Sequence, residues 1–85
     1  MTVLVSETAK KQLKKLDKSI QKKIIEYLED VAGLEDPRTR GKGLSSNLAG
    51  LWRYRVGDYR LICEIKDEIL TVEVVRIGHR REVYD

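Results

Sequence analysis

Leu51–Lys66 reads LWRYRVGDYRLICEIK, two runs of strand-forming residues on either side of Gly57-Asp58. A glycine in the first position of a two-residue connection supplies the positive φ of a tight hairpin turn. Leu51–Val56 is therefore expected to pair with Tyr59–Lys66, and the register follows. Val56 faces Tyr59, Tyr54 faces Leu61 and Trp52 faces Cys63. Directly paired residues point the same way, so these six share one side of the sheet. Arg55 then faces Arg60, and Arg53 faces Ile62, on the other side. A second two-residue turn at Asp67-Glu68 would bring Leu70, Val72 and Val74 onto the apolar side, completing three antiparallel strands up to Ile77.

An apolar sheet face needs a cover, and the segment before it offers two amphipathic helices. Thr2–Val5 is a short β-branched run suited to an edge strand, and Ser6 is placed to cap a helix. Ala9, Leu13 and Leu16 recur at helical spacing, with Lys10, Lys11, Lys14 and Lys15 on the opposite side. Asp17 is expected to cap a second helix carrying Ile20, Ile24, Ile25, Leu28 and Val31 in one stripe, with Gly33 as a left-handed C-terminal residue. So short a connection predicts an antiparallel helix pair. Pro37–Ser46 reads as a basic, glycine-containing loop. The expected fold is α+β: an N-terminal strand, a helical hairpin, then a three-stranded antiparallel sheet (β-α-α-β-β-β), in a single domain over residues 1–85.

Composition narrows the class. A chain of 85 residues buries only roughly 60–65% of the surface its unfolded form exposes, so a second core is not expected. Apolar content of 41% against 36% charged is that of a globular protein. The longest uncharged run, Gly43–Trp52, falls far short of the ~20 residues that span a bilayer, and the N-terminus lacks a signal pattern. A cytoplasmic protein with no membrane association is expected. The lone Cys63 has no disulfide partner and no companions at metal-ligand spacing, which excludes a disulfide scaffold and a zinc site. No Gly-rich phosphate loop, nucleophile elbow or clustered carboxylate metal site occurs.

A net charge of +3 favours an anionic partner, and its distribution says more than its size. The first 35 residues hold seven lysines and no arginine, and all eight arginines follow Pro37. Lysine is a well-solvated surface charge, whereas the rigid fork of arginine matches phosphate oxygens, so the second half is the ligand-handling half. Two arginines directly opposite one another repel at a cost of a few tenths to ~1 kcal/mol, an arrangement that an anionic ligand would justify and folding does not. A solvated outer face is the plainer reading of the same charges. The end of the last strand runs back beside Gly57-Asp58, which brings His79, Arg80 and Arg81 near Arg55 and Arg60, with Tyr84 close behind. Such a constellation suits phosphodiester cleavage of RNA by attack of the 2′-hydroxyl on the adjacent phosphorus. Arginine is always protonated, so it holds phosphate and stabilises charge but cannot act as base. Tyr84 and His79 remain as proton carriers, and either can be the base. A two-histidine mechanism is excluded by composition.

The run LWRYRVGDYRLI at 51–62, followed by IGHRREVY at 77–84, closely resembles the RelE toxins of the RelE/ParE superfamily, and the likeness extends over nearly the whole chain. It takes in the segment Leu13–Asp17, the loop Asp36-Pro37-Arg38 and the approach Gly41–Leu44. The resemblance implies a metal-independent endoribonuclease, or mRNA interferase, that uses no cofactor. It would occupy the ribosomal A site, contact rRNA and cut mRNA between codon nucleotides, and a RelB-like antitoxin would neutralise it. By the same resemblance the catalytic positions fall on Arg53 and Arg55, where the enteric protein has lysines, and on Arg60, Arg80 and Tyr84. The interval from Arg80 to Tyr84 is two residues shorter here, and His79 stands where that protein has lysine. Arg38, Arg40, Lys42 and Arg81 are the candidate RNA-binding residues.

Two other readings share the fold. A ParE-type toxin poisons DNA gyrase without cutting RNA, and a non-catalytic module would only bind its antitoxin or RNA. The combination of strand arginines with a C-terminal Arg and Tyr favours the nuclease.

Overall fold

The structure, a computed structural model, describes residues 1–83, with side chains through Arg81. Its elements run β1 (Thr2–Val5), α1 (Glu7–Lys14), α2 (Lys18–Ala32), β2 (Lys42–Gly43), β3 (Trp52–Val56), β4 (Tyr59–Lys66), β5 (Thr71–His79) and α3 (Arg80–Val83). The α+β arrangement is the expected one, but the sheet is larger than three strands. Its order is β1-β5-β4-β3-β2. β1 joins β5 in parallel, Val3 beside Val72 and Val5 beside Val74, while β2 pairs antiparallel with β3 through Lys42–Arg53 and Gly43–Trp52. A strand of two residues has no alternation to read, which is why the loop reading concealed it.

Local chemistry accounts for most element ends. The Ser6 hydroxyl accepts from the Ala9 N–H at 3.1 Å, an N-cap that satisfies one of the orphan donors of α1. Asp17 occupies the corresponding position of α2 but makes no side-chain cap bond. Gly33 ends that helix with φ −85 in the right-handed region, not the left-handed one expected, its N–H donating to Glu29 and Asp30 carbonyls in a continued helical turn. Gly57 has φ +58, and as the first central residue of the β3–β4 connection it gives the hairpin the handedness that matches strand twist.

The register of β3 against β4 is the predicted one: Trp52–Cys63, Arg53–Ile62, Tyr54–Leu61, Arg55–Arg60 and Val56–Tyr59. Ala9, Ile24, Leu28 and Val31 of the helices meet Tyr54, Leu61, Cys63, Val72, Val74 and Ile77 of the sheet in one buried cluster. At roughly 1.5–3 kcal/mol for each fully buried large aliphatic side chain, this face holds the domain together. The β4–β5 connection differs from the expected two-residue turn. Asp67–Ile69 form a 3-10 turn, and Leu70 follows in the left-handed region at φ 49. Leu70 is therefore in the connection, 65% exposed, and not on the apolar face. Val72 and Val74 keep the expected side, because the longer turn moves the pairing by two residues, an even shift. A bulge between Ile62 and Cys63 then adds an odd one: Cys63 pairs with Val74, but Ile62 pairs with Arg76.

The segment before β2 is fastened to the end of the sheet. The Tyr54 hydroxyl, fully buried, donates to the Pro37 carbonyl at 2.6 Å. The Trp52 indole N–H donates to the Arg40 carbonyl at 2.7 Å. Gly41, at φ +78, passes so close that any Cβ there would collide with the Arg53 carbonyl and the indole nitrogen. Among the described residues no helix is long and apolar enough to cross a membrane.

Candidate functional site

The sheet face turned away from the helices carries its basic residues in two cross-strand rows. One runs Lys42 (β2), Arg53 (β3), Ile62 (β4), Arg76 (β5). The next, nearer the Gly57-Asp58 turn, runs Arg55, Arg60, Gly78. Strands lie about 4.8 Å apart and alternate residues about 6.6 Å along a strand, so five cations crowd a patch little larger than a dinucleotide.

Arg60 is the centre of it. In a two-residue hairpin the pair flanking the turn exchanges hydrogen bonds, so the next pair out, Arg55 and Arg60, is the non-bonded kind, whose Cα atoms approach to about 4.5 Å. Arg55 is exposed, whereas Arg60 is only 9% accessible. One Arg60 terminal nitrogen makes a long 3.5 Å contact to the Tyr59 carbonyl, and its buried Nε has no partner among the described residues. The ion pairs among the described residues are Lys10–Glu7, Arg38–Asp67 and Lys66–Glu73, none of which includes Arg55, Arg60 or Arg76. Burying a guanidinium without matched acceptors is costly, and an anion at this row would offset that cost.

Gly78 lies opposite Arg60, and the Arg80 N–H donates to the Asp58 carbonyl at 2.8 Å, so α3 starts beside this row. Arg80 and Arg81 are both exposed there. Tyr84 lies outside the described residues. His79 arrives at the same edge but on the other side of the sheet. It pairs with Tyr59, its ring meets that of Tyr59 edge to face at 5.7 Å, and together they line a 460 Å³ groove with Gln12, Lys15 and Leu16. Its Nδ1 accepts a 3.4 Å contact from the Arg81 N–H.

The loop residues divide. Lys42 lies beside Arg53 on the outer face. The Arg40 guanidinium sits 5.6 Å over the Tyr27 ring on α2, away from that face. Arg38 is engaged at the far end of the sheet, donating twice to the Asp67 carboxylate at 2.8 and 2.9 Å and holding that carboxyl below the usual range. Arg76 is the outer-face cation that the sequence reading missed. The two-residue turn places it on the helix side, and only the bulge, which has no sequence signal, turns it outward.

Two buried titratable groups are unsuited to chemistry. Burial pushes the Cys63 thiol up to about 12, which leaves it an inert core residue. Burial likewise raises the Tyr54 phenol, far from any role as base. No group of three or more His, Cys, Asp or Glu side chains able to hold a metal ion occurs among the described residues.

The sheet is antiparallel but for its β1 edge, is backed by two helices, and carries an arginine patch on its outer face. Residues 3–84 match the family described as the ParE toxin of type II toxin-antitoxin systems, parDE. Two Mycobacterium tuberculosis (strain ATCC 25618 / H37Rv) proteins are similar over nearly their full length. Toxin RelG is 37% identical over 84 residues, covering 98% of this chain and 94% of that one. Toxin RelE is 33% identical over 82 residues, covering 96% and 84%. The toxin-antitoxin complex RelBE2 of the same organism contains a chain with TM-score 0.84 and 38% identity, covering 93% of this chain and 96% of that one. The isolated E. coli RelE toxin shares the fold at TM-score 0.74 and 23% identity, covering 98% and 89%. The chain belongs to the ParE toxin family of type II toxin-antitoxin systems, within the RelE/ParE superfamily.

Proposed function

We propose that this toxin is a ribosome-dependent endoribonuclease that cuts mRNA in the A site, and that a cognate RelB-like antitoxin restrains it. The observation that carries this reading is Arg60: buried, facing Arg55 across the hairpin, and without a carboxylate among the described residues. The RelBE2 complex supports the antitoxin partner through the 38% identity of its matching chain.

In the proposed reaction the 2′-hydroxyl oxygen attacks the adjacent phosphorus, and the bond from phosphorus to the 5′ oxygen breaks. A 2′,3′-cyclic phosphate results, and the departing 5′ oxygen takes a proton from water to become a 5′-hydroxyl. Arg53, Arg55 and Arg60 hold the phosphoryl oxygens and stabilise the extra charge they gain, and Arg80 faces the departing 5′ oxygen. These groups do not give up protons at neutral pH. Tyr84 takes the proton of the 2′-hydroxyl. The ring of His79 lies across the sheet from Arg60, which favours Tyr84 over His79 as base. Chemistry with so little acid-base help depends on alignment, and holding the RNA in line is worth several kcal/mol. The ribosome supplies that alignment.

Induced expression tests the reading. Growth arrest with transcripts cut inside codons, only where translated, is the expected result. The matched family description favours a second reading, a gyrase poison of the ParE kind. That reading predicts DNA damage signalling with intact mRNA. Absence of any growth effect would leave a binding module.

A further inference from the structure

An outer sheet face is expected to be polar, yet Ile62 at the centre of the basic row is only 3% exposed. Leu48 and Leu51 of the connection between β2 and β3, both half-buried, line a groove of 330 Å³ together with Thr8 at the start of α1, Ile62, Val75 and exposed Arg76. An apolar slot flanked on one strand by Arg53 and on the other by Arg76 suits a ligand with a flat apolar part and an anionic backbone. A nucleotide in single-stranded RNA is such a ligand, its base splayed out and its exposed face covered by a guanidinium plane.

The surrounding charge fixes which part goes where. Beyond Ile62 along β4 and β5 the next facing pair is Glu64 with Glu73, the latter bonded to Lys66 at 3.1 Å. Lys66 offsets Glu73, but Glu64 still disfavours a phosphate there, so the backbone stays on the two arginine rows and the base is the part turned towards the groove.

We propose that this groove is a nucleobase subsite: it takes the base of a nucleotide beside the cleaved bond, and Arg76 lies over that base as a positioning residue. The inference rests on the RNA-cutting reading and deepens it.

The test is a coupling experiment on a short single-stranded RNA carrying a 2′-deoxy sugar at the cut position. Affinity is measured by fluorescence anisotropy, and KM on programmed ribosomes with the cleavable RNA. One abasic substitution next to the cut should weaken wild-type binding on the order of tenfold. In Arg76→Ala and Leu48→Ala that same abasic change should cost nothing further, because the base contact is already lost. Arg76→Lys, which keeps the charge without the plane, should also lose the coupling. Equal abasic penalties in wild type and all variants, in affinity and in KM, would overturn the subsite while leaving cleavage intact. Coupling without any cleavage would instead sink the nuclease reading alone. Neither binding nor cleavage by wild type overturns both. Unchanged RNA coupling with weakened antitoxin affinity in Arg76→Ala would assign the groove to the antitoxin and overturn the proposal.

Discussion

Arg55 and Arg60 are direct cross-strand partners, one exposed and one buried, with no carboxylate between them among the described residues. Like charges so placed oppose folding, so stability and activity should respond in opposite directions when the repulsion is removed. Arg55→Glu puts an opposite charge beside Arg60 and is expected to raise stability by a few tenths to ~1 kcal/mol. The same change should lower cleavage by about 10²–10³-fold, the usual cost of losing one preorganised charge-stabilising group. Urea denaturation and cleavage on programmed ribosomes measure the two. A variant that loses stability, or gains it with activity intact, would show that this pair serves the fold.

The Tyr54 hydroxyl holds the Pro37 carbonyl in a buried 2.6 Å bond, and through it the segment that brings Lys42 beside Arg53. Tyr54→Phe leaves that carbonyl unsatisfied and is expected to cost about 1–3 kcal/mol. Hydrogen exchange should quicken at Arg40 and Lys42 before it does in β4. Uniform quickening across the sheet would mean that the bond stabilises the core as a whole and has no special hold on the segment.

How much of this was legible in the chain depended on whether a residue type announced the local geometry. Gly57-Asp58 announced its turn, so the Arg55–Arg60 pairing and both faces of the first hairpin could be worked out. At the second turn nothing did: Leu70 adopts φ 49 without being Gly or Asn, and the bulge at Ile62/Cys63 leaves no mark on the pattern. Each displaces the register, the turn by an even step that keeps the face and the bulge by the odd step that turns Arg76 outward. The apolar groove was hidden for a related reason, since Leu48 and Leu51 sit in a connection with no periodicity. His79 was placed at the correct edge, but which face it occupies follows from its pairing with Tyr59, beyond the reach of the turn argument.

The bidentate pair of Arg38 with Asp67 ties the Pro37–Thr39 turn to the β4–β5 connection. The hydrogen bond from Arg38 lowers the Asp67 carboxyl below its ordinary value. A carboxyl with a depressed folded pKa contributes stability that is present above its unfolded value and is lost as pH falls through the folded one. The melting temperature of wild type should therefore exceed that of Asp67→Asn at neutral pH by a small margin, as befits an exposed pair. The margin should vanish in acid, below the lowered value. A difference that persists there would have to come from something other than the charge of Asp67.

On the proposed RNA-cutting reading His79 and Tyr84 are the two candidates for the base, and the placement of His79 bears on the choice. The His79 ring packs edge to face on Tyr59 over the groove with Gln12 and Lys15, on the side of the sheet opposite Arg60. Reaching a phosphate held by Arg60 would require it to swing around the sheet edge and give up that contact. His79→Ala is therefore expected to keep cleavage within about tenfold, with the shape of the pH–rate profile unchanged. Tyr84→Phe should lose about 10²–10⁴-fold, the usual contribution of general acid-base catalysis. Single-turnover cleavage on programmed ribosomes across a pH series separates the two. A flat profile in His79→Ala, with Tyr84→Phe near wild type, would give the proton transfer to the histidine and require the edge of the sheet to rearrange on the ribosome.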